Sequence, residues 1–148
     1  MRRMQTQVRP DSPEFKEAAA KMQDVVDRFQ EMQNKSRYDR PQRDLDRLKR
    51  QNKMLARERL ELLLDPGTPF LEFSSLAAND LYDGQVPGAN VITGVGVIAG
   101  REVVIHADDS SNKGGAWYPM TVPKIVRALE FALENNLPVV HICDSAGG

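Results

Sequence analysis

One cysteine, one tryptophan and two histidines in 148 residues leave few of the side chains that usually carry chemistry. The lone thiol, Cys143, excludes a disulfide framework and a thiol metal cluster. Placed at the end of the apolar run Val139-Val140-His141-Ile142-Cys143, it reads as a small buried hydrophobe. His106 and His141 also fall within apolar runs and read as satisfied core residues, and no metal ligand set is expected. No apolar run approaches the roughly 20 residues that span a bilayer. Residues 1–15 lack the apolar stretch of a secretory signal. A soluble intracellular protein is the expectation.

What is present divides by charge. Residues 1–66 hold 16 Lys and Arg against 12 Asp and Glu, whereas residues 67–148 hold 4 against 9. This predicts two different objects, an arm over 1–66 and a domain beginning at 67. In the arm, Phe15, Ala18, Ala19, Met22, Val25, Val26, Phe29 and Met32 recur at helical spacing after the cap Asp11-Ser12-Pro13-Glu14. A break is expected over 34–41. A second stripe, Leu45, Leu48, Leu55, Leu62 and Leu63, then runs to Asp65-Pro66-Gly67. Such a helical hairpin buries little by itself and needs a partner surface, either the following domain or another subunit.

Between residues 35 and 59 ten basic residues face four acidic ones. A solvated helix face is one reading, and a site for a phosphate-rich small molecule is another. Nucleic acid fits less well, because only Tyr38 offers an aromatic there and the whole chain carries a net charge of −1.

The second half changes to short β-type runs. Strands are predicted over 70–74, 91–98 and 102–107, the last two joined by a turn at Ala99-Gly100-Arg101. Gly94 and Gly96 clear one face of the middle strand, so something packs closely there. A polar loop over 108–120 leads to a helix capped by Thr121, with Pro123 in its first turn and Val122, Ile125, Val126, Leu129, Ala132 and Leu133 as its apolar residues. A buried strand over 139–143 completes a right-handed crossover. Asp144-Ser145-Ala146-Gly147-Gly148 then turns out of that strand. Glycines at the end of a buried strand expose N–H groups that suit an oxygen carrying negative charge. Lys113-Gly114-Gly115-Ala116 offers a second such pair. Spacing alone leaves an ordinary turn and an oxyanion hole equally open at both places.

Longer motifs narrow the choice. Residues 54–72, MLARERLELLLDPGTPFLE, resemble the ARERI…LLDPGSPFLE motif that opens the carboxyltransferase subunits of acyl-CoA carboxylases. VITGVG at 91–96 resembles that family's IITGIG strand, and NKGGAWYPMTV at 112–122 its VKGGAYYPVTV segment. The KGGAxYP form is similar to the methylcrotonoyl-CoA and geranyl-CoA branch, whereas propionyl-CoA and acetyl-CoA branches usually carry an FGGS-like loop. The family's DSGGA stands here as Asp144-Ser145-Ala146-Gly147-Gly148, with Ala146 in place of the first glycine. Alanine supplies an N–H but does not comfortably take positive φ.

The resemblance implies an α/β, crotonase-like spiral of ββα units, preceded by the helical arm and covering only the start of its N-terminal half. It implies transfer of a carboxyl group from carboxybiotin, carried by a partner biotin carboxylase or biotin carrier subunit of an ATP-dependent holoenzyme, to an acyl-CoA. The coenzyme A thioester would be activated by backbone amides, and released biotin anion would take the proton. One oxyanion donor is worth about 3 to 4 kcal/mol. The residues so placed are Ala146, Gly147, Gly148, Gly115 and Ala116 at the thioester, with Lys53, Arg57, Lys113 and Gly114 toward the coenzyme A phosphates. A homo-oligomer in the bacterial cytoplasm or the mitochondrial matrix is implied as well, with neither nucleic acid nor membrane as partner. Two other readings stay open: an acyl-CoA decarboxylase of the same superfamily, and a non-catalytic assembly piece.

Overall fold

The computed structural model describes residues 6–148; the first five residues of the predicted arm lie outside the described residues. Ser12 starts α1 (Pro13–Tyr38), its hydroxyl accepting the Phe15 N–H at 3.2 Å, and Pro13 supplies a fixed φ in the first turn. The helix runs through the expected break to Tyr38, and the interruption falls over 39–41, where Pro41 has no N–H to continue it. The apolar stripe of α1 is left open: Phe15, Met22, Val25, Phe29 and Met32 are all exposed.

The second stripe is two helices, so the arm is not a simple hairpin. α2 (Gln42–Arg50) ends where Asn52 takes φ +53° and the Lys53 N–H reaches back to the Leu48 carbonyl at 3.0 Å. This left-handed cap is favoured by Asn. α3 (Ala56–Leu63) starts afresh, with Glu58 accepting the Leu55 N–H at 2.8 Å. Leu62, assigned to the buried stripe, points to solvent, and Leu60 is the buried residue.

The sheet has the order β1 (Leu71–Phe73), β2 (Val91–Ile98), β3 (Arg101–Asp108), β4 (Val139–Ile142). The first two pairings are antiparallel, and β3 and β4 are parallel neighbours joined through α4 (Thr121–Glu134). Alternation along β3 builds two cores. Val103, Ile105 and Ala107 pack with Ala56 and Leu60 of α3, while Val104 packs with Ala128 and Ala132 of α4. Helix α3, read from sequence as part of the arm, is thus one layer of the sheet's packing. Asp65 of the DPG motif closes the β2–β3 hairpin by accepting the Ala99 and Gly100 N–H groups at 2.8 and 2.7 Å.

Several expectations for this layer are not met. Within these residues β4 pairs with β3 alone, and Val139, His141 and Cys143 are exposed where a buried strand was expected. Helix α4 has the same asymmetry. Ile125, Ala128 and Ala132 are buried, whereas Val122, Val126, Leu129 and Leu133 face outward. Thr121 does not cap α4. Its hydroxyl accepts the Tyr118 N–H at 2.9 Å and donates to the Ala89 carbonyl at 2.8 Å, so it ties the preceding loop to the 86–90 turn. Among the described residues no helix is long and apolar enough to cross a membrane.

The close approach expected at Gly94 and Gly96 is present. A Cβ at Gly94 would overlap the Phe70 ring and come within 2.7 Å of the Leu71 carbonyl oxygen, and one at Gly96 would overlap Leu64. Backbone cannot yield as a side chain can, so Gly94→Ala should cost about 1 to 3 kcal/mol. Urea unfolding should show this as a lowered midpoint with an unchanged slope. A second test comes from Lys124, a buried amine on α4 that donates to the Gly88 and Val91 carbonyls at 2.9 and 2.6 Å. Burial lowers its pKa from 10.5 to about 8, with the Glu72 and Asp109 charges opposing and the Arg57 charge adding to the fall. The folded state therefore holds the proton less tightly than the unfolded chain. Stability should rise by about 3 kcal/mol between pH 8 and 10.5, a gain that Lys124→Met should lack in pH-dependent unfolding.

Candidate functional site

The two glycine loops meet. Lys113–Gly115 forms a single 3₁₀ turn after β3, and the segment 144–148 leaves β4 beside it. The Ala146 N–H donates to the Gly114 carbonyl at 3.0 Å, the Trp117 N–H to the Gly147 carbonyl at 2.9 Å, and the Ser145 hydroxyl to the Gly115 carbonyl at 2.9 Å. A Cβ on Gly115 would sit 2.6 Å from the Asp144 carbonyl oxygen, so this contact requires glycine. Positive φ falls at Lys113, Gly114, Gly115 and Gly147, with values of +50°, +70°, +73° and +103°. Ala146 is not among the positive-φ residues, so the backbone accommodates alanine where the motif usually has glycine.

The predicted amides do not stand free. Besides Ala146, Gly147 donates to the Ser145 Oγ at 3.0 Å, Gly115 to the Asn112 carbonyl at 2.9 Å and Ala116 to the Lys113 carbonyl at 3.3 Å. Gly148 lies against Trp117, where an added Cβ would be 3.3 Å from the Trp117 Cβ. Sequence reasoning brought the right loops together but did not foresee that they satisfy each other.

Helices α2 and α3 hold both loops from below. The Asp144 carboxylate accepts from Lys53 Nζ at 2.6 Å, Arg59 Nη2 at 3.0 Å and Ser110 Oγ at 2.8 Å. Arg47 donates to the Ser110 carbonyl at 2.7 Å and pairs with Asp44, which also accepts the Lys113 N–H at 3.4 Å. Farther back, Arg37 and Arg57 share Glu72, and Arg40 pairs with Asp109 at 2.6 Å in a nearly dry setting. Six of the ten basic residues over 35–59 are thereby paired. These six charges clamp helices to the domain, while Lys35, Arg43, Lys49 and Arg50 stay on exposed helix positions. Two of the proposed phosphate ligands are committed elsewhere, Lys53 to Asp144 and Arg57 to Glu72 through two bonds of 2.9 and 3.1 Å. Lys113 is exposed beside Gly114. Asp144, Arg59 and Arg47 were missed because their partners lie far off in sequence; the one available signal was the acidic residue heading the DSAGG turn.

An α/β layer with two facing glycine loops behind a helical arm has the fold of the crotonase-like carboxyltransferases. Residues 47–148 match the family profile described as "Carboxyl transferase domain", and the chain belongs to that family. It is 54% identical over 95 residues to the biotin-dependent 3-methylcrotonyl-coenzyme A carboxylase beta1 subunit of Mycobacterium tuberculosis, covering 64% of this chain and 18% of that protein. It is 40% identical over 145 residues to a probable mitochondrial methylcrotonoyl-CoA carboxylase beta chain of Drosophila melanogaster, covering 97% of this chain and 25% of that one. The crystal structure of the P. aeruginosa geranyl-CoA carboxylase beta subunit superposes with a TM-score of 0.88 at 36% identity, over 97% of this chain and 27% of that subunit. The chain therefore spans about a quarter or less of the length of these relatives.

Asp144 gives the site a measurable pH response. Burial raises its pKa, but hydrogen bonds from Lys53 and Ser110 and the charges of Lys53 and Arg59 outweigh this and hold it below the ordinary 3.8. A depressed folded pKa contributes stability above the unfolded value and loses it as the pH falls through the folded value. Asp144→Asn should be about 1 to 3 kcal/mol less stable at pH 7. That gap should close on acidification below pH 3.8. A gap independent of pH in urea titrations would remove the clamp from the account.

Proposed function

We propose that this chain supplies the thioester side of a carboxyltransferase that adds a carboxyl group to a branched, unsaturated acyl-CoA of the methylcrotonoyl or geranyl type. The observation that carries this is the meeting of the KGGA loop and the DSAGG turn at one place, within the residues that match the family. Carboxybiotin, delivered by a carrier outside this chain, supplies the carboxyl group. The residues here position the thioester and stabilise the enolate oxygen.

Gly147 is the amide best suited to that work. Its N–H is held by the hydroxyl of Ser145, a side chain that can move aside by giving up its own bond to the Gly115 carbonyl, unlike the backbone carbonyls that hold Ala146 and Gly115. Ala116, at 3.3 Å from its acceptor, is the next most readily released. For the coenzyme A phosphates Lys113 remains the candidate, since it is exposed at the mouth of the same loop. The open stripe of α1 suits burial against further protein, which accords with an oligomer; a hexamer is described for transcarboxylase 12S, a structural relative at 28% identity and a TM-score of 0.66. The bacterial cytoplasm or the mitochondrial matrix accords with relatives from a mycobacterium and from mitochondria.

Calorimetry with coenzyme A tests the reading directly. Binding should be detected, and Lys113→Glu should weaken it at least tenfold while circular dichroism stays unchanged. No heat from a chain shown to be folded would favour an assembly role instead. Carboxylation of methylcrotonoyl-CoA should require sequence beyond this chain, so turnover by these 148 residues alone would contradict the division of labour proposed.

A further inference from the structure

On the α4 side of the sheet, next to the glycine loops but not part of them, four side chains with metal-binding chemistry share one face of two neighbouring strands. His106 and His141 are register partners across β3 and β4, and Asp108 and Cys143 follow each of them by two residues. One oxygen of Asp108, one ring nitrogen of His141 and the Cys143 sulfur lie within 4.8 Å of one another.

The case rests on Asp108. Its side chain is wholly buried, and a buried carboxylate needs a compensating charge. The neighbouring acids have theirs: Asp109 has Arg40, and Asp144 has Lys53 and Arg59. Among the described residues the nearest basic group to Asp108 is His141, whose Nε2 is 3.5 Å away, beyond hydrogen-bond length. The carboxylate is also oriented from behind, with Oδ1 accepting the Trp117 indole N–H at 3.0 Å and Oδ2 the Asp144 N–H at 3.1 Å. Such outer bonds characterise metal-ligating carboxylates. The remaining histidine of this face lies alongside. The His106 ring stacks on His141 at 4.0 Å between centroids, is only 6% exposed, and its Nδ1 has no hydrogen-bond partner. The expectation of a satisfied core histidine therefore fails.

We propose that Asp108, His141 and Cys143 bind a single divalent transition-metal ion of the zinc type. One carboxylate oxygen, one neutral imidazole and one thiolate make a mixed O, N, S donor set suited to zinc or cobalt rather than to magnesium or calcium. Binding releases the Cys143 thiol proton to solvent, and the cation supplies the charge that buried Asp108 lacks. The inference is independent of the proposed carboxyl transfer.

Cobalt(II) titration of the reduced, intact chain tests it, because Cys143 is the only thiol and any thiolate-to-cobalt charge-transfer band must come from it. The expected result is such a band saturating at one equivalent and bleached by zinc. Cys143→Ser should abolish the band, and His141→Gln should weaken cobalt binding at least tenfold. Both residues are exposed, so circular dichroism should confirm intact folds. Bound zinc should also slow alkylation of Cys143 by iodoacetamide. Absence of the band in the folded wild-type chain, or unchanged cobalt affinity in His141→Gln, would overturn the proposal.

Discussion

The arrangement of both glycine loops depends on one carboxylate. Asp144 is gripped by Lys53 from the segment between α2 and α3, by Arg59 from α3 and by Ser110 from the loop after β3. Three parts of the chain that share no secondary structure are joined at that point. Charge-assisted bonds of this kind are short and directional, so they fix where the turn starts as well as holding it. The turn then closes on the KGGA loop through Ala146 and Trp117, and Gly115 permits the contact because any side chain there would strike the Asp144 carbonyl.

The same economy appears farther back. Glu72 on β1 receives both Arg37 and Arg57, and Asp109 receives Arg40, so the end of α1 and the start of α3 are tied to the sheet by charge. α3 adds Ala56 and Leu60 to the apolar core. Two kinds of force thus divide the work. Apolar burial fixes α3 and α4 on opposite faces of the sheet, and ion pairs set the direction of the loops that leave it.

Local patterns were legible. The strand pair around Ala99-Gly100, the α4 helix and the tight packing at Gly94 and Gly96 follow from turn residues, periodicity and missing side chains, all of which act over a few positions. The meeting of KGGA and DSAGG was legible through motif resemblance. What was not legible depends on distance. Periodicity does not announce that Lys53 belongs to Asp144 or Arg57 to Glu72, and both were placed toward the phosphates by charge and motif position. The apolar run 139–143 reads as an interior strand, and within these residues it pairs with β3 alone. Asn52 was readable in principle, since Asn tolerates the left-handed conformation that splits α2 from α3.

The pairing of Lys53 with Asp144 spans 91 residues. A ribosome adding about 5 to 20 residues each second presents the basic segment several seconds before its last acidic partner exists. During that interval Lys53 and Arg59 are cations without the Asp144 counterion. Closing of the DSAGG turn and neutralisation of these two cations are therefore a single event.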